Sequence, residues 1–195
     1  MSKEIVKIYD KIAPEITQVY EQQSHIKGIK KFISVLPKRA KVLDFGCGSG
    51  KDVSIFTQTG MEVIGVDASR EMIKQALLRH PGVNLMLMDG RNLQFSDKFF
   101  DGVWSWSVLT HFDLRDKVKT LKEICRVLKK DGIFTQMVWR GRGVFINKHV
   151  YPRPHYLLST TSWKKIYKDA GFFNLQMKYV KGKGRGAVRL TAYRQ

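Results

Sequence analysis

Apolar positions along this chain follow two different rhythms. At the start, Ile5, Ile8, Tyr9 and Ile12 share one helical face, and Pro14 predicts a break before a second helical stretch running towards Leu36. The pattern then changes to short, mostly apolar runs at residues 42–45, 62–68, 84–88, 100–105 and 133–139. Runs of that length without alternation predict strands covered on both faces. Helical stretches separate them: residues 51–59, stopped by Gly60, and a stretch from Ser69 through Leu78, ended by His80-Pro81-Gly82. Asp113 is the expected N-cap of another helix, which buries Leu114, Val118, Leu121, Cys125 and Leu128 and stops at Lys130-Asp131-Gly132. Residues 140–158 read as irregular, punctuated by Gly141, Gly143, Pro152 and Pro154. A short helix over 161–170 and two strands near 174–180 and 187–193 complete the chain, with Gly182-Lys183-Gly184-Arg185-Gly186 as a flexible hairpin connection.

Strands alternating with helices predict an α/β fold, a mostly parallel sheet with helices on both faces. The terminal hairpin requires an antiparallel strand, giving seven strands in all. With 195 residues and no divisible linker, a single domain is expected over 1–195. No apolar run approaches the ~18–20 residues needed to cross a bilayer, and the N-terminus has no signal-peptide core, so the cytoplasm is the expected location.

The chemistry concentrates in Val42-Leu43-Asp44-Phe45-Gly46-Cys47-Gly48-Ser49-Gly50. A buried strand feeds a tight turn where glycines let a ligand lie against the main chain. The dinucleotide fingerprint wants a further glycine three residues after the second, and Lys51 stands there instead. Some twenty residues later a second strand ends in Asp67, where a carboxylate can hold a ribose hydroxyl pair. Turn, strand and terminal acid in this order point to an adenosine-containing ligand.

Charge changes the picture next. Lys and Arg outnumber Asp and Glu by 35 to 17, and residues 138–195 hold thirteen of those bases against the single acid Asp169. Such asymmetry suits an anionic partner, whether nucleic acid, a membrane surface or an acidic small molecule; it equally suits a solubilising surface. Cys47 and Cys125 are too separate in role for a structural disulfide, and His25, His80, His111, His149 and His155 are scattered, so no metal centre is expected.

These motifs resemble the class I S-adenosylmethionine-dependent methyltransferases over most of the chain. The likeness covers the glycine turn at 42–50, the ribose strand at 63–69, an adenine turn at 87–90, the Phe100-Asp101-Gly102-Val103 strand, "LKEICRVLKKDG" at 121–132, and Ala170-Gly171-Phe172. The opening "YDKIAPEI" resembles the N-terminal cap of many small members, and Asp131 departs from a common glycine at a surface turn. The resemblance implies a Rossmann-like fold with a helical cap at 1–37, a cofactor core at 38–139 and a substrate side at 140–195. It implies S-adenosyl-L-methionine as cofactor, leaving as S-adenosyl-L-homocysteine. Gly46, Cys47 and Gly48 would lie beside its amino-acid part, with Asp44 orienting the turn. Asp67 would accept the ribose hydroxyls, with Asp89, Gly90 and Ala68 around the adenine. Met72 would cover the adenine face or serve the core, and Tyr9 would close over the cofactor from the cap.

For the reaction, the stretch after the fourth strand offers Trp106 as a wall of the methyl pocket and His111 as the general-base candidate, or alternatively as a helix-start hydrogen-bonder. Trp139, Arg140, Arg142, Tyr151, Arg153 and Tyr156 mix arginines with aromatics, which suits a planar, anionic or nucleotide-like acceptor. The first expectation is a small-molecule acceptor, anionic or planar. The alternative is tRNA or rRNA held by the basic C-terminal third, and a third reading is a non-catalytic binding module. Sequence leaves the accepting atom and the oligomeric state open.

Overall fold

The short apolar runs become parallel strands and the periodic stretches between them become helices. The structure, a computed structural model, describes residues 2–180 and 186–195, so the Lys183–Arg185 part of the expected hairpin connection lies outside the described residues. In chain order the helices are α1 (Lys3–Gln22), α2 (Ile26–Ile33), α3 (Lys51–Gln58), α4 (Arg70–Arg79), α5 (Leu114–Val127) and α6 (Thr160–Asp169). The strands are β1 (Lys41–Phe45), β2 (Glu62–Asp67), β3 (Leu85–Leu87), β4 (Phe100–Trp106), β5 (Leu128–Trp139), β6 (Gly143–Asn147), β7 (Arg153–Leu157), β8 (Phe172–Val180) and β9 (Ala187–Arg194). A single 3-10 turn covers Leu109–His111.

Seven strands pair in the order β3-β2-β1-β4-β5-β9-β8. The first five are parallel, β9 runs antiparallel to β5, and β8 antiparallel to β9. This is the expected Rossmann-like sheet with its C-terminal antiparallel strand. The chain winds outward from β1 in both directions, so the crevice at the C-terminal ends of β1 and β4 is where such sheets bind ligands. One face is filled by Leu43, Phe100, Phe134, Leu121, Ile124 and Tyr167. The other is filled by Phe32, Phe56, Val53 and Trp104 beneath α2 and α3.

Pro14 does not break the first helix. Residue 14 lacks only the N–H that would bond the Asp10 carbonyl, and Ile5, Ile12, Ala13, Ile16 and Thr17 bury a stripe that keeps α1 continuous to Gln22. Asp10 accepts from Ser69 Oγ at 2.6 Å and Glu71 N at 3.2 Å, a carboxylate at the positive end of α4. The cap is thereby fixed above the β2–α4 junction.

Two further expectations shift. The buried face of α5 is Lys117, Thr120, Leu121, Ile124 and Val127, while Leu114 is 53% exposed. The cause is Lys117, a lysine that occupies a core position because its Nζ donates to the carbonyls of Phe112 and Tyr156. Residues 140–158 are not irregular: β6 and β7 form a separate antiparallel ribbon, Gly143 opposite Leu157 and Asn147 opposite Arg153. Pro154 is tolerated because a two-stranded ribbon has free edges.

Candidate active site

A cavity of about 910 Å³ opens at the C-terminal ends of β1, β2 and β4, roofed by α1 and the β6–β7 ribbon. That is near the upper end of the ~300–1,000 Å³ usual for small-molecule sites. Its floor is the glycine turn. Gly46 sits at φ +74°, and a Cβ there would lie 2.3 Å from a Val108 methyl, so the position has neither the conformation nor the space for a side chain. Gly46 and Cys47 donate their N–H groups to the Val66 carbonyl, locking the turn to β2. Cys47 is buried, and burial pushes its thiol well up.

Acids line the sheet side. Asp44 is buried with Oδ2 unpartnered. Burial, then the nearby charges of Asp52 and Asp67, hold its pKa well above the carboxylate range. Asp67 accepts from Gly48 N at 3.1 Å and Ser69 N at 2.9 Å. Burial raises its pKa, against those two N–H groups. Ala68, Met72 and Gly90 also line the cavity, and the Met72 methyl comes near Gly48. Asp89 does not line it: exposed, its carboxylate is taken by Arg91 at 2.7 Å, with Arg91 also bound to Asp116.

The opposite wall carries a chain of hydrogen bonds. His111 Nδ1 meets the Pro154 carbonyl at 3.0 Å and His111 Nε2 meets the Tyr9 hydroxyl at 2.8 Å. A carbonyl only accepts, so Nδ1 carries the proton of a neutral imidazole and Nε2 accepts from Tyr9. Tyr9 in turn lies 3.3 Å from the Tyr20 hydroxyl. Burial, then the neighbouring His155, pushes the His111 pKa well below its ordinary range. Burial raises Tyr9, against the Arg153 charge, and lifts Tyr20 further. His155 packs 4.3 Å from His111 between ring centroids and has its pKa brought to about 4 by burial and by Arg153 and Lys117.

Trp106 and Trp139 both line the cavity. Trp106 stacks on His25 at 3.7 Å. His25 Nδ1 bonds both Asp52 oxygens, and Asp52 also accepts from Trp104 Nε1 at 2.8 Å. Lys51, at the position where a dinucleotide site wants glycine, reaches back to the carbonyls of Glu21 and Gln23 and ties α1 to the turn.

The fold thus gathers Tyr9, Trp106, His111, Trp139 and Arg153 with the glycine turn. It leaves Arg140, Arg142, Tyr151 and Tyr156 outside the lining. Arg140 stacks over Tyr179, Tyr151 receives Lys11 over its ring, and Arg142 borders a separate shallow pocket beside α6. His111 and His155, 44 residues apart in sequence, meet on this one wall, and His149 also lines the cavity. Tyr20, His25 and Asp52 are lining residues absent from the expected site. For Asp52 a signal was present, an acid in the first helical turn after the glycines. His25 and Tyr20 have none, since only the return of the cap brings them in. Among the described residues no group of His, Cys, Asp or Glu is placed to hold a metal ion, and no helix is long and apolar enough to cross a membrane.

Residues 43–135 match the family described as a methyltransferase domain. A probable tRNA methyltransferase 9B from Mus musculus is 28% identical over 138 residues, 70% of this chain and 30% of that protein. The 2-methyl-6-phytyl-1,4-hydroquinone methyltransferase of Synechocystis sp. is 35% identical over 114 residues, 56% of this chain and 35% of that one. Among solved structures, the Burkholderia thailandensis 1,6-didemethyltoxoflavin-N1-methyltransferase, bound to 1,6-didemethyltoxoflavin and S-adenosylhomocysteine, has a TM-score of 0.81 at 21% identity, covering 98% of this chain and 87% of that one. Residues 43–135 thus carry a methyltransferase domain, a family whose methyl donor is S-adenosylmethionine, and the solved structures share its fold. The chain spans about a third of the length of the curated relatives it matches first.

Proposed function

We propose that this chain transfers a methyl group from S-adenosylmethionine to a small-molecule acceptor held inside the cavity. The observation that carries the reading is the roof: α1 and β7 enclose the reactive end, leaving His111, Arg153 and His155 at most 5% exposed. Enclosure excludes water and orients reactants, which is most of what an in-line displacement asks of a protein. The test is a labelled-methyl assay on a cell extract split into small-molecule, RNA and protein fractions; label in the small-molecule fraction is expected, and label confined to another fraction would overturn the reading.

The residues present fit the donor. Asp44 Oδ2 is a buried acceptor without a partner, suited to the donor's amino-acid end beside Gly46, Cys47 and Gly48. Asp67 keeps lone pairs beyond its two N–H contacts for the ribose hydroxyls, a charge-assisted pairing. Met72, Ala68 and Gly90 would border the adenine, and Trp106 would wall the methyl. When bound, S-adenosylmethionine supplies a methyl already activated by a cationic sulfur.

His111 works through Tyr9 in this reading. Its Nε2 already holds the Tyr9 hydroxyl, so an acceptor O–H or N–H gives its proton to Tyr9 Oη while Tyr9 passes its own to Nε2. Nδ1 keeps its proton on the Pro154 carbonyl. The imidazolium so formed would face a donor left neutral after transfer, which would offset the low basicity of a buried histidine.

RNA is the second reading, favoured by the thirteen bases in residues 138–195 and by relatives named as tRNA methyltransferases. It expects tRNA affinity falling steeply with added salt; salt-insensitive or absent binding removes it.

A further inference from the structure

The acceptor wall contains a cation without an anion. Arg153 is 5% exposed and lines the cavity. Its Nη1 donates to the carbonyls of His149 at 2.7 Å and Tyr151 at 3.1 Å, and its Nε is buried with no partner. Among the described residues no carboxylate forms an ion pair with it. Burying a guanidinium this way is costly unless a counter-charge arrives.

Among the described residues no nearby group supplies that charge. His155 is two residues along the same buried face of β7, and its Nε2 is also unpartnered. Lys117, behind the ribbon, is bonded to carbonyls alone, its pKa brought down to about 7 by burial, slightly opposed by Asp113. The acids that line the cavity, Asp44, Asp52 and Asp67, belong to the sheet side, and Asp52 is already engaged by His25 and Trp104. Asp44 and Asp67 thus sit where a cationic donor would lie, and Arg153 sits where the acceptor would.

We infer that Arg153 anchors an anionic group, a carboxylate or a phosphate, on the methyl acceptor, so that the substrates of this site are small acids. The inference rests on the methyl-transfer reading and names its substrate class. Two fixed carbonyls hold the planar fork by Nη1, the Tyr9 hydroxyl lies beside it, and the unpartnered Nε is left for the anion; an arginine so oriented selects a planar or tetrahedral oxyanion over a neutral polar group. The guanidinium carbon lies 5.8 Å from the Tyr9 ring centre. An acceptor tethered there is held next to the Tyr9–His111 pair.

The probes are benzoate, phenyl phosphate and neutral benzamide, titrated by calorimetry into protein saturated with S-adenosylhomocysteine. At least one anion is expected to bind about tenfold or more tightly than benzamide, and the two anion arms separate carboxylate from phosphate. In Arg153→Met that preference falls to about unity while S-adenosylhomocysteine affinity stays within about twofold. Should the Met variant not fold, Arg153→Lys keeps a charge without the fork and lowers anion affinity by about tenfold. Benzamide binding as tightly as both anions, an anion preference unchanged in either folded variant, or no anion binding at ~10 mM overturns the inference. Failure of wild-type protein to bind S-adenosylhomocysteine would instead remove the methyl-transfer reading itself.

Discussion

The two walls of the cavity are built on opposite plans. The sheet wall is made of strand ends and backbone, its polar groups short acids one or two residues from a turn, such as Asp44 and Asp67. The roof wall is made of long side chains from distant segments: Tyr9 and Tyr20 from α1, His111 from the turn after β4, Arg153 and His155 from β7. The first is rigid because the sheet is rigid. The second exists only when three separate segments are docked, joined by bonds such as Tyr9 to His111 and His111 to the Pro154 carbonyl.

Breaking that contrast begins with the roof. His111→Ala is expected to lower kcat by about 10²-fold or more, the usual scale for a lost proton acceptor, with S-adenosylhomocysteine affinity nearly unchanged in calorimetry. A full-rate variant would show that the histidine only joins α1 to β7. On the sheet wall, Asp67→Ala should weaken cofactor binding by roughly 1–3 kcal/mol, the cost of removing a charged hydrogen-bond partner; unchanged affinity would mean that the cofactor lies elsewhere.

The walls should also differ in acid. The folded-state pKa of His155 is about 4 against 6.5 for the free side chain, and His111 moves in the same direction. Between those values the unfolded chain binds the proton and the folded one does not. Stability is therefore full above pH 6.5 and falls as pH drops towards 4, by on the order of 2–3 kcal/mol for His155. Denaturant midpoints measured from pH 7 to 4 check this, and His155→Gln should flatten the slope. The smallest effect is expected at Asp89: exposed and already held by Arg91, it should cost less than about 1 kcal/mol of cofactor affinity when changed to alanine. A loss as large as that of Asp67→Ala would bring Asp89 back into the adenine site.

The same contrast explains what was legible beforehand. Strand β1, its turn and Asp67 are contiguous or twenty residues apart, and apolar runs ending in acids mark them in any parallel sheet. The helix starts expected at Ser69 and Asp113 hold because capping is local, each side chain accepting from an N–H three residues on. The break at Pro14 fails because a buried stripe outweighs one missing hydrogen bond. The ribbon of β6 and β7 was hidden by its prolines, and Lys117 by its charge, although three of the buried α5 residues follow it at helical spacing. Pairings such as Tyr9 with His111, 102 residues apart, leave no periodic trace at all.

Val108 and Gly46 carry a consequence for how such a site can drift over generations. The Val108 methyls stand in the volume that any side chain at 46 would claim, and Val108 is three residues from His111. A mutation enlarging position 46 needs a smaller residue at 108 as well as tolerance of the positive φ, and shrinking 108 loosens the segment bearing the histidine. The donor turn and the acceptor wall are thus forced to change as a pair, which restricts lineages to paths that keep both or rebuild both.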